Sequence, residues 1–394
     1  MRDFLVKEFY KIFGYDPNNH RLFFAPGRVN LIGEHTDYTG GLVFPVSIDC
    51  GTYILATPND TDVINISSLN FSGEIVSIAT NTKQVKHNNW SDYFRGCLKE
   101  LQNLHTIGVG FDALVYGNIP DSSGLSSSAS FELVSLITIL GMNGINIPKN
   151  GSDGMVKLAV LAKNCENNFV GVNCGIMDQF IIANGKKDSA LLLDCFDLTF
   201  SYVELYLNKY TILVANTNKK RGLLDSKYNE RRRECEEGFD ILKKNGVGKE
   251  ALGRVTLKEW DNLKELLNDK PTIQKRLNHV VTENDRVKRA KEYLTSNNVP
   301  NFAKLLNESG DSLKNDFEVT GEHLDAMVEA ARESRGVVAS RMTGAGFGGC
   351  TVNIVESHKL KTIIDNISQR YFDKTQIKGD FYTFGIGDGA KEVI

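Results

Sequence analysis

The first seventeen residues, MRDFLVKEFYKIFGYDP, scatter charges among apolar positions at helical spacing and then meet Gly14 and Pro17. This predicts an amphipathic helix that stops near Gly14. Residues rich in Val, Ile, Phe and Tyr then crowd into RLFFAPGRVNLIG (21–33), GGLVFPVSIDCGTYILATP (40–58) and INISSLNFSGEIVSI (64–78), which predict strands. Helical spacing returns in DYFRGCLKELQNL (92–104), SASFELVSLITILGMNG (128–144) and MVKLAVLAKNCENNF (155–169), with the strand FDALVYGNIP (111–120) after the first of these. Strand character resumes in ALLLDCFDLTFSYVEL (190–205) and KYTILVANT (209–217). From about residue 218 the pattern becomes charged and helical, beginning with KKRGLLDSKYNERRRECEEGFDILKK and continuing past 330. It then returns to strands at GCTVNIVE (349–356) and GDFYTFGI (379–386). Strands and helices mixed in this way predict an α+β protein with a boundary near residue 200.

At 394 residues the chain exceeds the size at which one core keeps growing, so two domains are expected. A formal net charge of −3 gives no basic surface for nucleic acid or an anionic membrane. No apolar run of about 20 residues is present to span a bilayer, and the charged N-terminus is no signal peptide. The seven cysteines are scattered and never spaced C-x-x-C, which suggests neither a disulfide framework nor a zinc site. Reduced thiols in a cytoplasmic protein are expected.

Candidate chemistry sits at four places. GRVNLIGEHTDYTGG (27–41) packs Glu34, His35 and Asp37 at the end of an apolar run, with Arg28 upstream; alone, it also fits a solvated charged turn. In NIPDSSGLSSSASFELV (118–134) small residues separate a strand from a helix. The free N–H groups at such a helix start bind anions, although Ser is equally a plain N-cap. In NCGIMDQF (173–180), Asp178 is a functional carboxylate or a salt-bridged structural one. In SRMTGAGFGGCTVNIV (340–355), Gly344, Gly346 and Gly349 spell G-x-G-x-x-G, but a strand follows them instead of a helix. A dinucleotide fingerprint is therefore rejected in favour of a tight turn that faces a ligand or packs on backbone. Neither a P-loop nor the protein-kinase motifs are present. Arg231, Arg232 and Arg233 read as a solvated helix face rather than a phosphate clamp.

In order along the chain, GRVNLIGEHTDYTGG, GLSSSAS, GIMDQF, KYNERRR and TGAGFGGC resemble the motifs of the GHMP small-molecule kinases, and among them the galactokinase family. The resemblance runs from about residue 20 to the C-terminus. One departure is Ser122, where the family loop Pro-x-Gly-x-Gly-Leu usually has glycine. The resemblance implies two α+β domains with the active site in the cleft between them. The N-terminal domain (1–200) would be ribosomal-S5-domain-2-like and the C-terminal domain (201–394) ferredoxin-like. It also implies transfer of phosphoryl from ATP, with Mg²⁺, to the anomeric hydroxyl of galactose by a monomer that binds neither nucleic acid nor membrane. By the same resemblance Asp178 is the general base with Arg28 beside it, and Glu34, His35, Thr36, Asp37, Gly175, Asp178 and Tyr228 hold the sugar. Ser122, Ser123, Gly124, Leu125, Ser126, Ser127 and Ser128 would wrap the phosphates, with Ser68, Gly344 and Gly346 near the nucleotide. Ser128 and Glu166 match the Mg²⁺ ligands. Two rival readings are a kinase for N-acetylgalactosamine or arabinose, and a galactose sensor that binds sugar and ATP without efficient turnover.

Overall fold

Helix α1 (Arg2–Phe13) ends as its pattern predicts, with Gly14 in the left-handed region and its N–H on the Tyr10 carbonyl. The computed structural model describes residues 1–120, 123–219 and 224–394. The chain continues through β1 (Arg21–Asn30), β2 (Leu42–Val43), β3 (Pro45–Pro58), β4 (Val63–Ser68), β5 (Val76–Ala79), α2 (Ser91–Gln102) and β6 (Phe111–Gly117). Next come α3 (Ser127–Met142), α4 (Asp153–Asn164), α5 (Met177–Asn184), β7 (Ser189–Asp194), β8 (Phe200–Glu204) and β9 (Tyr210–Asn216). Five helices follow, α6 (Leu224–Lys244), α7 (Leu257–Leu263), α8 (Pro271–Thr295), α9 (Val299–Ser312) and α10 (Glu322–Arg332). The last elements are β10 (Val337–Thr343), β11 (Cys350–Glu356), α11 (Leu360–Thr375), β12 (Asp380–Tyr382) and β13 (Lys391–Val393).

The strands form a six-stranded sheet in the order β13-β1-β3-β6-β4-β5, a four-stranded sheet β10-β11-β9-β12 and a three-stranded sheet β2-β7-β8. Among the described strands only the β4–β6 pairing is parallel. Apolar residues of the six-stranded sheet share a core with α2, α3, α4 and α5. A second core joins Val29, Leu31 and Ile32 to Val214, Ile354 and Leu306 of the later sequence. It is this core that fixes the first polar motif against the second half of the molecule.

Four elements escaped the sequence pattern, one of them α11, which lies between two expected strands. β10 has Ser340 and Arg341 at its centre, both fully buried. α5 is buried nearly all round and so lacks an amphipathic period. β13 is short and charged, yet it pairs antiparallel with the edge of β1 through Leu22–Val393 and Phe24–Lys391. The strand expected over 64–78 is broken into β4 and β5, and only three residues of 379–386 are extended in the sheet.

Candidate active site

β1 bulges between Pro26 and Arg28, and the chain then runs through the buried Val29, Leu31 and Ile32 before it turns. Glu34 is 1% exposed and its carboxylate is held from several sides. Oε1 accepts from the Gly344 N–H (2.8 Å) and the Thr343 hydroxyl (2.9 Å), with Arg341 at 3.4 Å. Oε2 accepts from Asn30 at 2.9 Å. His35 takes a left-handed backbone with φ 60°. Its Nδ1 lies 2.9 Å from the Tyr38 hydroxyl, and its ring packs against Tyr228 and Phe317. The ring faces the Ala345 backbone, where Nε2 completes no well-formed hydrogen bond. Asp37 sits against Gly175 so closely that a Cβ there would lie 1.7 Å from Asp37 Oδ2, so only glycine fits.

The facing wall is built by α5 and the start of α3. Arg28 grips Asp178 in a two-pronged pair, Nε to Oδ1 at 2.8 Å and Nη2 to Oδ2 at 2.7 Å, and its Nη1 donates to the Gly124 carbonyl at 2.7 Å. Ser126 is the N-cap residue of α3 with φ 67°, but its hydroxyl donates to Asp178 instead of capping the helix. The start of α3 thus carries no side-chain cap, and Ser127 and Ser128 there border the cavity. Glu166 lies in a π-helical turn, Cys165–Val170, that continues α4, and it accepts from Gln179 at 2.6 Å.

These groups line one cavity of about 360 Å³. Arg28, Glu34, His35, Asp37, Ser123, Gly124, Ser126, Ser127, Ser128, Glu166, Gly175, Asp178, Tyr228 and Gly344 all border it. Four expected residues do not. The Thr36 hydroxyl is spent on the Gly33 and Leu42 carbonyls. Ser68 is buried at the end of β4 and accepts from the Asn70 N–H. Leu125 offers its carbonyl to the Arg28 N–H. Gly346, at φ 81°, lets the loop pass the Val319 carbonyl, where a Cβ would come within 2.2 Å. Ser122 lies outside the described residues. The basic run also needs correcting, because Arg231 is no solvated side chain. It is buried, donating to the Phe317 carbonyl at 2.8 Å and pairing with Glu234 at 2.9 Å.

Sequence reasoning missed the supports beneath the first motif. His279 Nε2 lies 3.1 Å from the Glu34 carbonyl, and Glu283 Oε1 accepts the Gly33 N–H at 2.9 Å. Asn284 accepts the Leu42 N–H at 2.7 Å. Arg341 donates to the carbonyls of Leu31 and Asn30, each at 2.8 Å. The charged text of α8 gave no sign that these side chains point inward. Tyr38 was equally passed over, although it stood inside the quoted motif.

Burial governs the charges here. His35 is pushed down to about 3 by burial and by nearby His279, Arg231 and Arg341, so it is neutral near pH 7. Asp37 is pushed up to about 6 by burial and by Asp178. Glu166 is pushed up to about 7 by burial and by Asp178. Among the described residues the cavity is bordered by the carboxylates of Glu34, Asp37, Glu166 and Asp178 and by a single guanidinium, Arg28. Among the described residues no cluster of three or more His, Cys, Asp or Glu side chains forms a metal centre. No helix of the described residues is long and apolar enough to cross a membrane.

Residues 7–58 match the galactokinase galactose-binding signature, 92–186 the GHMP kinases N terminal domain and 290–374 the GHMP kinases C terminal domain. A galactokinase of Fusobacterium nucleatum is 45% identical over 396 residues, covering 100% of both chains. A galactokinase of Clostridium acetobutylicum is 46% identical over 394 residues, covering 99% of this chain and 98% of that one. The crystal structure of Lactococcus lactis galactokinase complexed with galactose superposes with a TM-score of 0.94 at 38% identity, covering 100% of each chain. Methanococcus jannaschii mevalonate kinase, at 18% identity and a TM-score of 0.65 over 93% of this chain and 99% of that one, shares the fold alone. With its signature, its full-length relatives and its two-domain mixed α and β architecture in agreement, the chain belongs to the galactokinase family of GHMP kinases.

Proposed function

We propose that this chain transfers the γ-phosphoryl group of ATP to the anomeric hydroxyl of α-D-galactose, giving galactose 1-phosphate and ADP. The observation that carries this reading is a single cavity with two chemically different walls. Glu34, His35 and Asp37 form one, while the other combines the Arg28–Asp178 pair with the start of α3. We further propose a division near residue 200, with each half contributing to the cavity.

The first wall suits a polyol. Glu34 Oε2 carries one internal bond and keeps a lone pair for a sugar hydroxyl, and neutral His35 borders the same wall. A site built to bond hydroxyls rejects an epimer that leaves its own polar groups unpaired. The second wall suits the reaction. An ionised carboxylate has about four lone-pair sites, and three donors already hold Asp178. The remaining site accepts the proton of the anomeric hydroxyl as its oxygen attacks the γ-phosphorus and the bond to ADP breaks. Arg28 pairs with the Asp178 carboxylate through two hydrogen bonds and fixes its orientation. The α3 N-terminus, flanked by Ser123 and Ser127, cradles the phosphates.

The residues present fit a hard cation: Ser128 and Glu166 are oxygen donors, and Glu166 stands in a carboxylate-rich wall. Mg²⁺ held there would neutralise charge on the phosphates. We propose that the chain acts as a monomer.

ADP release is the test, measured with MgATP and galactose, glucose, N-acetylgalactosamine or arabinose in parallel. Turnover largely confined to galactose is expected. Turnover with N-acetylgalactosamine or arabinose in its place overturns the substrate, and galactose binding without turnover overturns the activity in favour of a sensor. Asp178→Asn is expected to bind galactose while losing at least about 100-fold in kcat.

A further inference from the structure

We propose that Gln179 is a positioning residue for the cation site, its side-chain amide holding the Glu166 carboxylate beside Ser128 while itself anchored on Glu132. This inference rests on the placement of Mg²⁺ at Ser128 and Glu166 given above. Gln179 directly follows Asp178 in α5, and a helix turns about 100° per residue. The two neighbours therefore serve different walls: Asp178 meets Arg28 and Ser126, whereas Gln179 meets Glu166 and Glu132.

An amide nitrogen has two hydrogens, and here each finds a carboxyl oxygen. Gln179 Nε2 lies 2.6 Å from Glu166 Oε2 and 3.2 Å from Glu132 Oε2, with Cys174 Sγ at 3.7 Å. Gln179 and Glu132 are both fully buried, and Glu166 is 7% exposed. The bond to Gln179 is the only side-chain hydrogen bond Glu132 makes among the described residues, and Glu132 Oε1 and Gln179 Oε1 have no partner. Burying two polar side chains so incompletely satisfied is unfavourable, and a purely structural contact would be better served by apolar residues.

Two features give the arrangement a use. Glu166 stands in a π-helical turn, where the regular hydrogen-bond ladder is interrupted and the side chain needs outside support. An amide can also orient a carboxylate without cancelling its charge, whereas Lys or Arg in its place would compete with a bound cation. Glu132 belongs to α3, the helix whose start faces the phosphates, so the amide ties α5, α3 and the turn after α4 together.

The test measures binding rather than turnover. ADP is titrated calorimetrically into the full chain with and without Mg²⁺, for the wild type and for Gln179→Met, Gln179→Asn and Glu166→Gln, with galactose affinity as the control. Met fills the volume without donating, and Asn keeps an amide too short to reach both carboxyls. The wild type is expected to bind ADP at least about tenfold tighter with Mg²⁺, and both Gln179 variants to lose most of that ratio. Their galactose affinity should stay within about twofold of wild type, and if Gln179→Met does not fold, Gln179→Asn decides. Gln179 variants that keep the Mg²⁺ advantage while Glu166→Gln loses it overturn the positioning role alone. If Glu166→Gln keeps it too, the placement of the cation fails and the inference falls with it. A loss of galactose affinity as large as the loss of Mg²⁺ advantage shows a general packing role and overturns the proposal.

Discussion

Gly175 and Asp37 show how tightly single residues are specified. A methyl group at 175 would overlap the Asp37 carboxylate, so Gly175→Ala must displace it. Since displacements of about 1 Å cost on the order of 100-fold in well-oriented sites, Gly175→Ala should weaken galactose binding by about 10- to 100-fold, read by calorimetry. His279, buried against the Glu34 carbonyl and the Ser312 hydroxyl, is pushed down from 6.5 to about 4, chiefly by burial. Between those values the unfolded chain binds a proton that the folded protein refuses, so acid favours unfolding there. Asp37 and Glu166 titrate in the opposite sense over part of the same range, so the comparison must isolate one group. As pH falls from 7 to 5, the wild type should lose stability relative to His279→Gln, measured as the urea midpoint; equal slopes would refute the assignment. At this scale the motif residues were legible because they cluster in sequence. His279, Glu283 and Gln179 were not, because each acts on a partner elsewhere in the chain and looks alone like part of a charged or apolar helix.

Among the elements, β10 departs most from its pattern. Arg341 sits in mid-strand with no exposure and ties the backbone of Asn30 and Leu31 to its own strand through Met342. Arg341→Met would take the guanidinium charge away from buried Glu34, which keeps its bonds to Thr343, Gly344 and Asn30, and would remove the side-chain donor of the Leu31 carbonyl. Loss of one member of such a pair is worth about 3–5 kcal/mol, which chemical denaturation should report, together with weakened galactose binding. The apolar run before Glu34 follows the same logic in hydrophobic form. Ile32 is fully buried in the core it shares with Val214 and Ile354, so Ile32→Ala should cost about 2–5 kcal/mol. α11 aside, the long helices and central strands were readable because their periodicity survives burial on one face. β10, α5 and β13 were hidden because a buried arginine, burial on every side and a charged three-residue strand each erase the period that pattern reading depends on.

Over the whole molecule, the order of segments along the chain differs from their order in space. β13 returns from the far end of the sequence to cover the edge of β1, and Arg21 joins Glu392 in a two-pronged pair at 2.7 and 2.6 Å. The Arg2 guanidinium adds a bond to the Val393 carbonyl. Removing residues 391–394 would take away these bonds at about 1 kcal/mol each, or about 3 kcal/mol together. The melting temperature should fall while the residues of the cavity remain in place. No periodicity could have shown this closure, since it depends on pairing across most of the chain. It also bears on synthesis. The edge of β1 is among the first parts of the sheet to leave the ribosome, and its covering strand is among the last, so throughout translation that edge remains open to any other extended chain.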